Sequence, residues 1–355
     1  MPGCAPNWVA DMRKQLNTLY VTTEGAWLRK DGENVVMEVE QQEQARIPVH
    51  MLEGLVCFGR ISVSPQLLGF CMTLGITVTY LTPNGRFLAR VEGPVSGNVL
   101  LRRAQYRRSE DPAGCAAIVR NVLAGKLHNQ RAVLARGWRD RGERLPDALA
   151  FRHALKRLKR IPQRLLQTSD TDTLRGLEGE AAHAYFSVFD QLIAVAEPGL
   201  RFAGRNRRPP RDPFNALLSF LYTLLTHDCR SALETIGLDP AVGFLHRDRP
   251  GRPSLALDLA EEFRPLLGDR LALSLINRRQ LGSRDFRTLE NGAVTLNDEA
   301  RKAVLVAYQE RKREELVHPF VGEKVPIGLL FWLQGQLLAR HLRGDLDGYP
   351  PFLWK

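Results

Sequence analysis

Gly93-Pro94-Val95-Ser96-Gly97-Asn98 is the stretch at which the pattern of this 355-residue sequence changes. Glycine, proline and small polar residues over several consecutive positions are typical of a linker. Before the stretch, short runs rich in β-forming residues end at turn signals. After it, apolar residues recur every three or four positions, as they do on one face of a helix. The stretch therefore predicts a boundary between a strand-rich part and a helical part.

The part before the linker contains several short strand patterns and one helix pattern. Leu16-Asn17-Thr18-Leu19-Tyr20-Val21 is rich in β-forming residues, and Asp31-Gly32 indicates a hairpin turn. Ser64-Pro65 is typical of a helix start, because serine can cap the helix and proline suits the first helical position. Ile76-Thr77-Val78-Thr79-Tyr80-Leu81 predicts another strand. These elements together indicate a β-rich domain.

The predicted fold is α+β, with a small β-rich N-terminal domain followed by a large all-α C-terminal domain. We assign residues 1–11 to a loose N-terminal extension, 12–95 to the β-rich domain and 96–355 to the helical domain. The uncharged segment Ile61–Gly85 is interrupted by prolines, glycines and threonines, so it does not resemble a membrane-spanning helix. The chain has no apolar leader behind a basic start. We therefore expect a soluble, cytoplasmic protein with no membrane partner.

Charge is concentrated in one part of the sequence. The chain carries 50 Lys and Arg against 39 Asp and Glu, a formal net charge of +11. Between Arg102 and Arg164, 17 residues are basic and 5 are acidic, which leaves the rest of the chain close to neutral. A localised basic surface favours a polyanionic partner such as nucleic acid.

Most familiar catalytic motifs are missing from the sequence. It contains no G-x-x-x-x-G-K-[ST] phosphate loop, no H-E-x-x-H and no G-x-S-x-G. The five cysteines are scattered, without a C-x-x-C pair, as expected for reduced thiols. An ATPase, a zincin, a serine hydrolase and a structural zinc site are therefore not supported.

Glu178 lies on an apolar helix stripe. In a helical arrangement it precedes, on the same face, Ala181, Ala182, Tyr185 and Phe186. A buried carboxylate is costly unless it is paired or bound to a metal. A solvated glutamate in the first helical turn, favoured by the helix dipole, is the alternative. Spacing alone favours that alternative.

Two further places supply polar groups that could act with Glu178. His246 lies in a loop rich in arginine, proline and glycine, where a lone histidine is usually a surface residue. Asp258 and Glu261 are three residues apart and share one face of the helix that follows, where such a pair is usually solvated. Two or three carboxylates with one imidazole nevertheless suit a hard divalent ion such as Mg²⁺ or Mn²⁺. Such an ion activates phosphodiesters.

A polar stripe and an arginine cluster lie between these places. Asp212-Pro213 is typical of a helix start, and the polar residues of the helix recur at helical spacing: Asn215, Ser219, Tyr222 and Thr226. Four arginines precede the helix or its start, at Arg205, Arg207, Arg208 and Arg211. An ordinary amphipathic helix explains the apolar face of this segment, which contains Leu217, Leu218, Leu221 and Leu225. It explains the ordered polar stripe less well.

In chain order, these motifs resemble a known family. The series is Glu178-Gly179-x-Ala181-Ala182-x-x-Tyr185-Phe186, then Arg208-Pro209-Pro210-x-Asp212-Pro213-x-Asn215-Ala216-Leu217-Leu218-Ser219, then Gly243-x-x-His246 and Asp258-x-x-Glu261. It is similar to the CRISPR-associated adaptation endonuclease, the DNA integrase family of CRISPR systems. The resemblance covers nearly the whole chain after Met12, and the details are most similar to type I systems.

The resemblance implies a site and its chemistry. It implies catalytic roles for Glu178, His246, Asp258 and Glu261, with a Mg²⁺ or Mn²⁺ ion bound by Glu178, His246 and Glu261. Many relatives carry Asp at the position of Glu261, and the longer Glu side chain changes the ligand geometry expected there. The DNA-binding residues expected from the motif are Arg205, Arg207, Arg208, Arg211, Asn215 and Tyr222.

The resemblance also implies a function and partners. The expected reaction is metal-dependent insertion of short DNA fragments (spacers) into a CRISPR repeat array by transesterification, and the reverse cutting of branched DNA. The expected partners are double-stranded DNA, a second copy of the chain bound through the β-rich domain, and a second small CRISPR-associated protein. Two alternatives remain from the sequence: a general branched-DNA repair nuclease, and a non-catalytic DNA-binding scaffold.

Overall fold

The structure, a computed structural model, describes residues 18–52, 54–83, 87–91, 93 and 99–354. The chain divides into two compact units. The first contains the described part of Met1–Gly97 together with Lys312–Glu315 and Pro326–Leu329, and the second contains Asn98–Arg311, Leu316–Val325 and Leu330–Lys355. The predicted extension at residues 1–11 and most of the linker lie outside the described residues.

The first unit contains two four-stranded sheets. The order of the first is β1 (Thr18–Val21), β5 (Gly54–Phe58), β7 (Thr77–Leu81) and β8 (Phe87–Val91), parallel except for the last pair. The order of the second is β4 (Gln42–Pro48), β3 (Asn34–Val39), β2 (Trp27–Asp31) and β6 (Ser62–Val63). The predicted hairpin at Asp31-Gly32 is confirmed, because β2 and β3 pair antiparallel across it.

The sheets share one hydrophobic core with helix α1 (Pro65–Thr73). The buried side chains come from both sheets and from the helix: Val21, Leu28, Val35, Leu55, Leu67, Cys71 and Val78. The predicted helix start is confirmed, because the Ser64 hydroxyl accepts the Leu67 N–H at 3.2 Å. This cap satisfies one of the backbone donors that a helix start leaves unpaired.

The chain after the linker is mainly helical. Its helices are α2 (Val99–Glu110), α3 (Pro112–Arg141), α4 (Ala148–Leu165), α5 (Thr171–Phe186), α6 (Pro213–Ile236), α7 (Ser254–Phe263), α8 (Arg270–Asn277), α9 (Asp298–Arg313) and α10 (Leu330–Arg343). One π-helical stretch, Arg264–Asp269, joins α7 to α8. Among the described residues, no helix combines the length and apolar character needed to cross a bilayer.

The expectation of an all-α C-terminal part is wrong. Strands β9 (Phe286–Thr288) and β10 (Val294–Leu296) form an antiparallel hairpin, and β11 (Glu315–Val317) pairs with β12 (Lys324–Pro326). Gly292 adopts a φ of 74° in the first hairpin turn, a conformation that glycine tolerates best. Val294 and Leu296 are buried, so this hairpin covers apolar surface. Strands of three residues are too short to give a clear alternating pattern.

Helix α3 is the centre of the second unit. It spans 30 residues, is buried along much of its length and contacts α4, α5 and α7. Gly125 allows α7 to lie close to α3, since a Cβ atom there would lie 3.1 Å from Oε2 of Glu262 on α7. Helix α3 therefore brings its central turns between α5 and α7.

A C-terminal segment, Tyr349–Trp354, ties α3 to α7. The Asn129 amide on α3 donates to the carbonyls of Glu262 (2.7 Å) and Phe352 (3.0 Å) and accepts the Trp354 N–H at 2.8 Å. The Glu262 carboxyl group accepts the Tyr349 hydroxyl (2.5 Å) and the Phe352 N–H (2.6 Å). All these contacts lie within one turn of Lys126 or Glu261.

Candidate functional site

Asp258 on α7 fixes the loop that carries His246. Its Oδ2 accepts the backbone N–H groups of Phe244 (2.6 Å) and Leu245 (2.9 Å), and its Oδ1 accepts that of His246 (2.9 Å). Gly243 makes this possible, because a Cβ atom there would meet Ser254 at 2.8 Å and the Asp258 carboxylate at 2.9 Å. Asp258 is 1% exposed, so these bonds compensate a carboxylate that is almost fully removed from water.

The same carboxylate orients the His246 ring. Nδ1 of His246 lies 2.6 Å from Oδ1 of Asp258. Since an ionised carboxylate can only accept, Nδ1 donates its proton, and in the neutral ring Nε2 is left as the basic nitrogen. Nε2 lies 3.8 Å from Oε1 of Glu261. Asp258 therefore holds the predicted His246 so that its Nε2 lies beside the carboxylate of the predicted Glu261.

Glu261 is a buried, ionised carboxylate. It is 3% exposed, forms an ion pair with Arg264 through Oε1 and lies 2.7 Å from Nζ of Lys126 through Oε2. Burial alone would raise the pKa of Glu261, but Arg264 and Lys126 outweigh burial and lower the pKa to about 2. The alternative of a solvated Asp258–Glu261 pair does not apply, because both side chains are buried.

Lys126 connects Glu261 to Glu178. The Lys126 side chain on α3 is 7% exposed and its ammonium forms ion pairs with Glu178 and with Glu261. The Glu178 side chain is 29% exposed and reaches the cluster from α5. Helix α5 begins at Thr171, so Glu178 lies two turns inside it and the first-turn interpretation does not apply. The four predicted residues are thus linked by a series of contacts: Glu178 and Glu261 both contact Lys126, Glu261 lies beside His246, and His246 contacts Asp258.

The donors of this cluster fit a hard divalent ion in their chemistry. Carboxylate oxygens and a neutral imidazole are ligands of Mg²⁺ and Mn²⁺, and a carboxylate on the other ring nitrogen is the usual outer contact of a metal-bound histidine. Within the described ranges, however, no group of three or more His, Cys, Asp or Glu side chains is arranged to hold an ion. Lys126 lies between the two glutamates. The ligand set Glu178, His246 and Glu261 remains a prediction.

A cavity of about 550 Å³ opens beside the two glutamates. Its lining includes Lys126, Glu178 and Glu261 together with further cationic and aromatic side chains: Arg205, Arg207, Arg264, Phe186, Phe202 and Tyr222. His246 borders a different cavity, of about 540 Å³, with Arg175 and Arg247. The site therefore has open space on both sides of the Glu261–His246 contact.

Some of the predicted DNA-binding residues are buried and others are exposed. Asn215 is fully buried, and its Oδ1 accepts from the Arg205 guanidinium (2.6 Å) and the Asn206 N–H (3.1 Å). Arg205 itself lines the cavity. Within the part of the chain that the structure describes, no carboxylate forms an ion pair with it. Arg207, Arg208 and Arg211 are exposed, and only Arg207 of these lines the cavity. Asn215 shapes the loop rather than facing the cavity.

Tyr222 lies between two cations and a buried acid. The guanidinium carbons of Arg264 and Arg205 are 4.9 Å and 5.3 Å from its ring centroid, within the range of cation–π attraction. Asp269 accepts the hydroxyls of Tyr222 at 2.5 Å and Tyr185 at 2.8 Å. Burial raises the pKa of Asp269 from its ordinary 3.8 to about 6, although both tyrosines oppose the shift.

The titration of Asp269 gives a testable pH dependence. Because the folded-state pKa is the higher one, the contribution of Asp269 to stability is complete below about pH 4 and is lost as pH rises through about 6. Asp269→Asn mimics the protonated form and does not titrate. Relative to this variant, we expect the free energy of unfolding of the unmodified protein to fall by up to about 3 kcal/mol between pH 4 and pH 7. Urea unfolding of both proteins across this range measures it, and a constant difference would contradict it.

Two residues of the site were missed by sequence reasoning, Lys126 and Arg264. A signal existed for Lys126, because it stands on the buried face of α3 four residues after Val122 and seven before Val133. A lysine on a continuous apolar stripe is rarely buried without a partner. Arg264 follows Glu261 by three residues, a spacing that favours an ion pair on one helix face.

The comparisons with known sequences identify the family. Residues 19–310 match the family model described as CRISPR associated protein Cas1. A CRISPR-associated endonuclease Cas1 of Rhodospirillum rubrum is 61% identical over 97% of this chain and 100% of its own length. A CRISPR-associated endonuclease Cas1 of Chlorobaculum tepidum is 56% identical over 97% of this chain and 100% of its own.

Solved structures show the same fold. A CAS1 protein from Thermotoga maritima aligns with a TM-score of 0.78 at 26% identity, covering 92% of this chain and 97% of that one. A casposase bound to integration product aligns with a TM-score of 0.80 at 22% identity, covering 96% and 94%. A Cas6-RT-Cas1–Cas2 complex contains a chain that aligns with a TM-score of 0.80 at 23% identity, covering 96% of this chain and 36% of that one. The chain therefore belongs to the CRISPR-associated Cas1 family.

Proposed function

We propose that the chain is a metal-dependent DNA endonuclease and integrase that inserts short DNA fragments into a CRISPR repeat array by transesterification. The observation that carries the proposal is the His246 ring, held through Nδ1 by Asp258, with Nε2 3.8 Å from the buried Glu261. A carboxylate that accepts the N–H of one ring nitrogen is the usual partner of a histidine whose other nitrogen binds a metal. Family membership and the endonuclease names of the close relatives support it.

Each residue of the cluster has a role in this proposal. Glu178, His246 and Glu261 hold a Mg²⁺ or Mn²⁺ ion, and Asp258 fixes the tautomer and direction of the imidazole. The bound ion supplies Lewis-acid polarisation of a phosphodiester and a lower pKa for a bound hydroxyl. His246 is a ligand and is therefore not also the general base.

The cavity beside the glutamates takes the DNA backbone. Arg205 and Arg207 in its wall add positive charge that no described ion pair neutralises, and phosphate groups are the natural counter-ions. Arg157 and Arg164 on α4 are partly neutralised by Glu180 on α5, so they contribute less than their number implies. The remaining basic side chains of residues 102–164 give the longer-range attraction for duplex DNA.

The reaction needs no energy source. The oxygen of a DNA 3′-hydroxyl forms one bond to phosphorus while one phosphorus–oxygen bond to the leaving 3′-oxygen breaks, and the reverse reaction exchanges the roles of the two 3′-hydroxyls. In hydrolytic cutting, water takes the place of the attacking 3′-hydroxyl. The hydroxyl proton passes to solvent and the leaving oxygen is protonated from solvent. Since one P–O bond replaces another, the lack of a nucleotide-binding loop in the sequence is consistent with this chemistry. No covalent protein–DNA intermediate forms.

The proposed partners follow the family. A second copy of the chain binds through the β-rich unit, and a second small CRISPR-associated protein bridges the dimers. Support comes from the Cas1–Cas2 complex and the DNA-bound casposase that share the fold. The proposed compartment is the cytoplasm, where the DNA is.

A strand-transfer assay tests the proposal. The purified protein, with and without its small partner, is incubated with a short duplex and a supercoiled plasmid that carries the repeat. We expect joined and nicked products with Mg²⁺ or Mn²⁺, none with EDTA, and a loss of at least about a hundredfold in His246→Ala. His153→Ala is the matched control, because this exposed histidine lies on α4 away from the cluster.

Other outcomes favour the alternatives. Cutting of branched DNA without joining under any condition would indicate a repair nuclease. Salt-sensitive DNA binding with no strand chemistry would indicate a scaffold. Products that persist in EDTA, or a covalent protein–DNA adduct, would exclude the proposed mechanism.

A further inference from the structure

The charges of the two glutamates are already balanced by the protein itself. Glu178 and Glu261 carry two negative charges, and Lys126 and Arg264 carry two positive charges in contact with them. Lys126 lies between the two carboxylates as their shared counter-ion. A dication bound to these two glutamates therefore finds their negative charge already neutralised.

Lys126 is the cation that both glutamates share. Its ammonium contacts both glutamates, whereas Arg264, as far as the described residues show, forms an ion pair with Glu261 alone. An ion coordinated by Glu178 and Glu261 together therefore meets Lys126 before any other cation. Two cations cannot share these carboxylates at contact distance without strong repulsion in a poorly solvated site.

We propose that Lys126 is a resident cation that competes with the divalent ion for Glu178 and Glu261, and that a DNA phosphate draws it away. The inference rests on the proposed function, since it concerns the same ion site. Lys126 lines the 550 Å³ cavity, so its flexible four-carbon chain can exchange the glutamates for an anion there. The phosphate replaces the partners that Lys126 loses, and the two carboxylates that Lys126 leaves are then available to the incoming ion.

The competition makes ion and DNA binding mutually dependent. Without DNA, Lys126 opposes the ion; with a phosphate in the cavity, the opposition is removed. Linkage requires the reverse as well, so that the ion increases the affinity for DNA by the same factor. The protein thus assembles its ion site chiefly on substrate.

Mn²⁺ binding measures the competition directly. In titration calorimetry without DNA, Lys126→Met is expected to bind Mn²⁺ about tenfold more tightly than the unmodified protein, because the competing cation is gone. Lys302→Met, which removes an exposed lysine of α9 outside residues 102–164, is the matched charge control and should bind like the unmodified protein. A 3′-dideoxy duplex should raise the Mn²⁺ affinity of the unmodified protein more than that of Lys126→Met.

Further variants keep the test decisive. Lys126→Gln should resemble Lys126→Met, and Lys126→Arg, which keeps the charge, should bind Mn²⁺ no more tightly than the unmodified protein. If the neutral variants fold only when Mn²⁺ is present, the ion has taken the place of the lysine, as proposed. Equal or weaker Mn²⁺ binding in folded neutral variants, or unfolding that Mn²⁺ does not rescue, would overturn the proposal.

Failure of the proposed function gives a different result. If Glu178→Gln and Glu261→Gln both leave Mn²⁺ binding unchanged, the ion site itself is wrong. If they abolish binding while the Lys126 variants have no effect, the ion site stands and only the competition is refuted.

Discussion

Glu261→Gln is expected to lower the rates of strand cutting and joining by at least about a thousandfold. Glutamine keeps the shape of the side chain but removes the charge that the proposed ion and His246 face. The same change leaves Lys126 and Arg264 without their shared, 3%-exposed partner. Breaking a buried ion pair by neutralising one member costs about 3 kcal/mol or more, so the free energy of unfolding should fall as well. Single-turnover strand transfer and urea unfolding measure the two effects.

Glu262→Gln is the matched control for this variant. Glu262 is the next residue, is fully buried and faces the C-terminal segment instead of the cluster. Burial raises the pKa of Glu262 to about 8, so at neutral pH its carboxyl is largely protonated and glutamine imitates it closely. We expect strand chemistry within about threefold of the unmodified protein. Equal losses in both variants would show that the position of α7, and not the charge of Glu261, limits the reaction.

Asp258→Asn is expected to weaken both the fold of the loop and the reaction. The carboxylate accepts three successive backbone N–H groups and the His246 ring, whereas asparagine offers one oxygen and turns an NH₂ group towards the remaining donors. The unsatisfied N–H groups should lower the free energy of unfolding by about 2–3 kcal/mol. The released imidazole should reduce strand joining by about a hundredfold.

Asp248→Asn controls for a general disturbance of the same loop. Asp248 is exposed and accepts one long bond, from the Gly243 N–H at 3.3 Å. Its replacement should leave the rate of strand joining and the urea midpoint close to those of the unmodified protein. If Asp258→Asn is no more impaired than this variant, then Asp258 does not orient the histidine.

Local signals in the sequence predicted several elements correctly. Ser64 caps α1, and Asp212 caps α6 by accepting the Asn215 N–H at 2.8 Å, both as the residue types indicate. Helix and strand starts of this kind depend on neighbours in the chain, which is why one sequence suffices to find them. The resemblance of the motif series to a known family singled out Glu178, His246, Asp258 and Glu261. In the fold, a series of contacts that includes Lys126 links these four residues.

The features that could not be predicted from the sequence depend on contacts between distant segments of the chain. Nothing near Lys126 in the sequence indicates that Glu178 and Glu261, more than fifty residues away, will pair with it. Asn215 stood in a polar stripe that pointed towards DNA, yet tertiary packing buries it under the Arg205 loop. The short hairpin of β9 and β10 is stabilised by burial and not by its own pattern. In each case the deciding partner comes from another part of the chain.

The contacts of the C-terminal segment also bear on when the site is completed during synthesis. Asn129 and Trp354 are separated by 225 residues, and Glu262 and Phe352 by 90. Pairings of such long range form late, because the chain between them must first be ordered. A nascent chain that has reached only α10 has α3 and α7 but lacks the residues that join them. We therefore expect the contacts that join α3 to α7 beside the site to be completed only after nearly all of the described sequence has been made.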